Sequence, residues 1–293
     1  MNRKECVDRC IDTVKEIQGV DDFKDLVQRL QMFQKNIEEY SVSDVTLPSY
    51  FWVARRGGGI STCISALAEY MYAAKIIEFT GNVKFFEFDL AYVSPNAFFS
   101  ELPRLNNAIS EVAGHHRYFR GLACINIDEW EQHTNEEHFY KFLEYIASKN
   151  DKVLTVFSLH SDNKRVVENI ESSLSSCTRF ETIWLRFPDA GELLEYVDAK
   201  YFKQRGFNLA DDAKLLLGDS ITEIMRGKNF YGFVTIKKYA NDVIFGLLTS
   251  ELKGYEINAD MLSEFNKDSV YIKRLKTFVS VNNTIGFNSS LEV

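Results

Sequence analysis

The chain of 293 residues is predicted to be an α/β protein, in which a doubly wound parallel five-stranded sheet is followed by a small α-helical lid domain. From about residue 50 to 188, five apolar runs alternate with helical segments. The runs lack a clean polar and apolar alternation, as expected when helices cover both faces of a parallel sheet. After Pro188 the pattern becomes wholly helical, which marks a second domain.

The elements follow in order along the chain. Residues 1–40 repeat apolar side chains every three or four positions, and Gly19 divides them into two predicted helices. The predicted strands are YFWVA, VKFFEFDL, LACINI, KVLTVFSL and FETIWLRF, and the predicted helices between them cover 61–79, 95–112, 135–148 and 164–174. The expected boundaries are N-terminal helices and linker at 1–45, the α/β core at 46–188, lid and C-terminal helices at 189–283, and a tail at 284–293.

Composition narrows the class of protein. A formal net charge of -8 argues against a protein that coats nucleic acids or binds anionic membranes. It does not exclude a local basic patch. No segment approaches the ~18 uninterrupted apolar residues of a membrane span, and the charged N-terminus lacks the apolar centre of a signal peptide. The five scattered cysteines favour a reduced interior. We therefore expect a cytoplasmic protein without membrane contact.

The segment ARRGGGIS, residues 54–61, has the outline of a phosphate-binding loop between a strand and a helix. Such a loop follows the pattern G-x-x-x-x-G-K-[ST], because glycines let backbone amides approach the phosphates. Here Ala54 replaces the first glycine and Ile60 replaces the lysine, while Gly59 and the Ser61 hydroxyl, a candidate Mg²⁺ ligand, remain. Arg55 and Arg56 lie at the start of the loop, where side chains tend to point away from phosphates.

Two acids follow the third predicted strand, in GLACINIDEW. Acids at the end of a buried strand are costly unless a cation or polarised water uses them, so Asp128 is predicted to bind Mg²⁺ and Glu129 to activate water. The simpler alternative is that Asp128 caps a helix.

Together these parts resemble an AAA+ ATPase module over roughly residues 19–275, with ARRGGGIS as a degenerate Walker A and ACINIDE as a Walker B. The resemblance implies ATP or ADP and Mg²⁺ as ligands, with the nucleotide held by Gly57, Gly58, Gly59, Ile60, Ser61 and Thr62. It also places KVLTVFSLHSDN in the sensor 1 position, where Ser158, His160 or Asn163 would orient the attacking water. Spacing does not choose among these three.

The resemblance further makes Arg179 the arginine finger that acts on a neighbouring subunit, before the fifth strand. In the lid, Val234 stands where the sensor 2 arginine is expected, and Lys237 or Lys238 would replace it poorly. Both cations that act on the subunit's own phosphates are thus missing, which suggests weak or absent hydrolysis. The implied partners are AAA+ subunits, identical or different, and another protein, with a nucleic acid left open.

Other clusters have ordinary interpretations. GHHRYFRG, residues 114–121, could contact a partner, but a solvated loop is favoured. His133 and His138 are five residues apart, which is wrong for one helix face, so a metal pair is not expected.

Three alternatives stay open beside an ATP-binding AAA+ protein with little hydrolysis. One is an active AAA+ ATPase that remodels a protein or nucleic acid, with Arg55 or Arg56 replacing the lysine. Another is a clamp-loader-like structural subunit without nucleotide. The third, a dinucleotide-binding protein, fits poorly because G-x-G-x-x-G fails at Thr62 and Asp89 lies about 30 residues on instead of ~20.

Overall fold

The computed structural model describes residues 2–40, 47–77, 86–90, 100, 102–107, 121–133, 136–149, 153–227, 230–249 and 256–268. The predicted helix over 95–112 lies largely outside these residues, as do GHHRYF of the histidine-rich segment and the tail. The chain divides into two compact units, Met1–Phe187 and Pro188–Val293.

The first unit contains a parallel five-stranded sheet in the order β2-β3-β4-β1-β5, which confirms the predicted α/β class. All six residues of β1 are buried, and β4 is buried over seven of its eight, so the continuous apolar runs are indeed inner strands. The strands are β1 Ser49–Ala54, β2 Phe86–Asp89, β3 Gly121–Asn126, β4 Val153–His160 and β5 Phe180–Leu185.

Helices cover both faces of this sheet. This is seen in the alternate side chains of β1, which belong to two different apolar clusters. Trp52 packs with α1, α2 and α3 on one face, while Phe51 packs with α4 and α5 on the other. The N-terminal helices therefore share a core with the sheet. These helices are α1 Arg3–Lys15, α2 Asp21–Tyr40, α3 Ile60–Ala73, α4 Glu137–Ala147 and α5 Lys164–Cys177.

The described part of the second unit has its own apolar core and is helical apart from one short ladder. β6 and β7, each of two residues, pair in parallel, a feature too short for a sequence pattern to reveal. The elements are α6 Ala190–Val197, a π-helix Asp198–Phe202, β6 Asn208–Leu209, α7 Asp211–Met225, α8 Gly232–Thr249, β7 Glu256–Ile257 and α9 Ala259–Asp268. None of the described helices is long and apolar enough to cross a membrane.

Candidate functional site

Three chain segments meet at the carboxyl edge of the sheet. The glycine loop, residues 55–59, follows β1; Asp128 follows β3; and His160 ends β4, which lies between β3 and β1. The register pairs Ala54 with His160 and Asn126 with Ser158, so β1 and β4 end at the same level and β3 ends two residues earlier. Asp128, two residues after Asn126, therefore lies beside His160. The two Walker-like segments are therefore neighbours in space, with His160 between them.

The glycine loop is a tight turn at the start of α3. The amide of Gly58 donates a hydrogen bond to the carbonyl of Arg55 at 2.8 Å, and a Cβ on Gly58 would lie 2.8 Å from that same oxygen. Gly59 has a φ of 92°, a left-handed conformation that favours glycine. The turn thus requires glycine at Gly58 for space and at Gly59 for backbone geometry.

The first turn of α3 can receive an anion. Gly59 precedes the helix and has no side chain to cap it, so the amides of Ile60, Ser61 and Thr62 receive no side-chain cap. No acidic residue lies in this turn, and Ser61 and Thr62 are exposed. These are the donors that a phosphate requires at a helix N-terminus.

Ile60, in the lysine position of the loop, faces the protein interior. Its side chain is 4% exposed and belongs to the apolar cluster that contains Trp52 and Cys63. Isoleucine brings no charge to the loop, so the position contributes packing. This explains why the fold accepts the replacement of the lysine.

Asp128 begins a 3-10 helix, Asp128–His133, directly after β3. Its Oδ1 accepts a hydrogen bond from the backbone amide of His160 at 2.7 Å, and its Oδ2 lies 2.9 Å from Nδ1 of the His160 ring. Its backbone amide donates to Oδ1 of Asn126 at 3.0 Å. Both ends of the residue are therefore held in place.

Opposing influences set the pKa of Asp128. Burial alone would raise the pKa, but the hydrogen bonds from the side chain and backbone of His160 lower it, and so does the positive charge of Arg56. The net pKa is below the usual value for aspartate. Asp128 is therefore an ionised carboxylate with hard oxygen atoms, which suits Mg²⁺.

The two loop arginines both lie near acids. Nε of Arg55 is 3.5 Å from Oδ2 of Asp162, and both side chains are mostly exposed. Arg56 is exposed and close enough to Asp128 for its charge to lower that residue's pKa. Neither the effect of Arg56 on the pKa of Asp128 nor the hydrogen bond between Asp128 and Asn126 was predicted from the sequence. An Asn two residues before an Asp at the end of a strand is the pattern that could have indicated this hydrogen bond.

The sensor 1 candidates occupy different environments. Ser158 is 3% exposed, and its Oγ accepts a hydrogen bond from Sγ of Cys124 at 3.7 Å inside the sheet. Asn163 is exposed and caps α5 by accepting from the amide of Arg165 at 3.1 Å. Only His160 of the three contacts Asp128 among the described residues. Glu129 lies in the 3-10 helix, and its side chain is outside the described part of the chain.

Arg179 lies at the opposite edge of the sheet. It precedes β5, its carbonyl accepts from the amide of Ser49 at the start of β1, and its side chain is exposed. Six strand residues, roughly 20 Å, separate this edge from the glycine loop. Arg179 therefore does not join the loop of its own chain. Val234, Lys237 and Lys238 lie in α8 of the second unit.

Comparison with known proteins gives a likeness of fold. No model of a protein family matches the sequence, and no curated protein matches it. Among solved structures, the chain is similar to PCH-2 from C. elegans, with a TM-score of 0.54 and 10% sequence identity, over 88% of this chain and 69% of that one. At this identity the likeness shows the fold alone. The chain has the fold of an AAA+ core.

Proposed function

We propose that the protein binds ATP or ADP with Mg²⁺, hydrolyses ATP weakly or not at all, and acts through nucleotide-dependent assembly with itself or with partner proteins. The observation that carries this proposal is the composition of the carboxyl edge of the sheet. It combines an anion-ready helix N-terminus with an ionised Asp128, whereas the lysine position is a buried isoleucine.

The residues at this edge fit a magnesium nucleotide. The amides of Ile60, Ser61 and Thr62 would hold phosphate oxygens, because Gly58 leaves no side chain in the turn. The hydroxyl of Ser61 and the carboxylate of Asp128 would bind Mg²⁺, and Glu129 would act on water. The metal ion would partly offset the negative charge of the phosphates. The loss of the lysine should therefore weaken nucleotide binding less than it slows ATP hydrolysis.

Hydrolysis suffers more than binding because the missing cation acts on the transition state. Cations that stabilise phosphoryl transfer are worth ~10³ to 10⁵ in rate. Within the site, His160 is the sensor 1 residue that we favour, since it contacts Asp128 and ends the strand between the two Walker-like segments.

One observation favours an active ATPase as the second candidate. The charge of Arg56 lowers the pKa of Asp128, so this cation lies close to the proposed Mg²⁺ ligand. An arginine there could partly replace the lysine. In that case Arg56→Gln would remove hydrolysis while leaving the fold intact, because the side chain is exposed.

The deciding experiment is a calorimetric titration of the purified protein with ATP and Mg²⁺, with phosphate release measured on the same sample. We expect binding with little or no phosphate released, and loss of binding in Asp128→Ala. The matched control is Asp162→Ala, a neighbouring carboxylate that is 69% exposed and should leave binding nearly unchanged. Steady phosphate release would establish the active enzyme, and no binding at millimolar ATP would contradict the proposal.

A further inference from the structure

A second group of ionisable side chains lies outside the nucleotide site. His133 ends the 3-10 helix that starts at Asp128, Glu136 precedes α4, and His138 lies in the first turn of α4. We call these three residues the histidine cluster. The two histidines are wrongly spaced for one helix face, but they belong to different elements, and the turn between the elements brings them together.

The three side chains are in contact. Nδ1 of His133 lies 2.8 Å from Oε1 of Glu136, and Nε2 of His138 lies 2.6 Å from Oε2 of the same carboxylate. The candidate ligand atoms all lie within 4.8 Å of one another. The carboxylate therefore bridges two imidazole rings, one through each oxygen.

The backbone holds this arrangement in place. The amide of Glu136 donates to the carbonyl of His133 at 3.0 Å, and its own carbonyl accepts from Phe139 at 3.0 Å. Glu136 occupies the N-cap of α4 without using its carboxylate as a cap. The His138 ring packs edge-on against Trp130, with ring centroids 6.0 Å apart. The turn, the start of α4 and the contact between the rings thus hold the backbone of the cluster and the His138 ring in position.

The Nε2 atom of His138 supplies a second observation. This atom is inaccessible to water, and among the described residues it finds no hydrogen-bonding partner of suitable geometry, although the Glu136 oxygen is 2.6 Å away. This buried ring nitrogen faces a carboxylate without a proper hydrogen bond, so a small separation of the two groups would let one ion join them.

We propose that His133, Glu136 and His138 bind a divalent transition-metal ion, with Zn²⁺ the best match. Two imidazole nitrogens and one carboxylate group form a ligand set that Zn²⁺ accepts, with water completing the coordination. Mg²⁺ and Ca²⁺ prefer oxygen ligands, so the two nitrogens select against them.

The geometry needs only a small adjustment. Zinc bonds to nitrogen and oxygen of about 2.0–2.1 Å in a tetrahedron place neighbouring ligand atoms roughly 3.3 Å apart. The two nitrogen–oxygen contacts, at 2.6 and 2.8 Å, would therefore widen by about 0.7 and 0.5 Å. Rotation of the half-exposed Glu136 side chain can supply this change.

The test uses the full chain, freed of metal by chelation and titrated with Zn²⁺ in competition with a chromogenic chelator. We expect one equivalent to bind, and at least tenfold weaker binding in His133→Asn, His138→Asn and Glu136→Gln. The matched control replaces both His115 and His116 with Asn. It removes two imidazoles, more than any single cluster variant, and should leave the affinity for Zn²⁺ unchanged. Co²⁺ should give visible bands of a tetrahedral nitrogen and oxygen site without a thiolate charge-transfer band.

Three results would overturn the metal site. These are no stoichiometric binding, equal affinity in the cluster variants and the control, or a Co²⁺–thiolate band that assigns the ion to cysteines. Circular dichroism should show each variant folded. If His138→Asn does not fold, Glu136→Gln decides alone, because that side chain is 46% exposed and its replacement keeps the shape.

Discussion

At the level of single residues, the contact between Asp128 and His160 joins the ends of the neighbouring strands β3 and β4. The pKa of Asp128 is lowered by His160 and Arg56 against the effect of burial, so folding favours the ionised form. The stabilisation that follows is present above the pKa of aspartate in the unfolded chain. It is lost as pH falls through the lower pKa of the folded state.

This predicts a pH-dependent stability for protein treated with chelator. The free energy of unfolding should decrease below about pH 4, and Asp128→Asn should lose stability at neutral pH and flatten this part of the profile. Denaturant titrations between pH 2.5 and pH 7 measure the free energy of unfolding at each pH. The change is expected to extend over a few pH units. Asp162→Asn, at an exposed ion pair, should follow the unaltered protein. Equal profiles for both variants would show that the His160 contact does not stabilise the carboxylate.

Ile60 gives a second prediction at this level, because a buried side chain cannot be exchanged for a charged one without cost. Ile60→Val should lower the free energy of unfolding by about 0.5–1.5 kcal/mol. Ile60→Lys, which restores the sequence pattern of the loop, should cost several times more, since the ammonium must leave water or displace its neighbours. Urea denaturation of both variants measures the difference. A fully stable Ile60→Lys protein would mean that this side chain readily turns toward the loop.

The main residues of the proposed site could be selected from the sequence because they follow strand ends, where a pattern is visible. Asp128 follows a continuous apolar run, and the glycine loop follows another. The sequence did not choose among Ser158, His160 and Asn163 for the sensor 1 role. Spacing does not show that Ser158 is buried in the sheet or that Asn163 caps a helix. Those differences depend on which strands are neighbours, which is a property of the fold.

At the level of elements, the five strands were predictable because both faces of the sheet are covered and the apolar runs are uninterrupted. The 3-10 helix Asp128–His133 and the β6–β7 ladder were not, because elements this short carry no periodicity. The histidine cluster shows the consequence. The spacing rule used for His133 and His138 applies to a single helix, whereas the two histidines lie on either side of an element boundary.

Two helical glycines of the second unit test packing at this level. A Cβ on Gly218 in α7 would lie 3.5 Å from Leu194, an ordinary contact, so Gly218→Ala should raise the free energy of unfolding by about 0.5–1 kcal/mol. A Cβ on Gly246 in α8 would lie 2.6 Å from the ring of Phe265. Gly246→Ala should therefore lower stability despite the same gain in helix propensity. Thermal and urea unfolding would compare them, and equal effects of the two changes would contradict the packing.

At the level of the whole molecule, the parallel sheet separates the proposed roles. The glycine loop and Asp128 lie at its carboxyl edge, whereas Arg179 precedes β5 at the other edge and is exposed. An arginine in that position can reach a nucleotide only on another copy or another subunit. The finger role predicted from the resemblance therefore requires assembly, and assembly becomes the property to test.

Mixing two defective variants tests it directly. Arg179→Ala and Asp128→Asn should each weaken nucleotide-dependent assembly, followed by sedimentation with and without ATP. An equimolar mixture should recover part of it, because an intact Arg179 from one subunit then faces an intact loop and Asp128 on the other. Arg165→Ala, at an exposed arginine in α5, is the control that should behave as the unaltered protein. If the mixture assembles no better than its two components, or if the unaltered protein stays monomeric with ATP, Arg179 does not act between subunits.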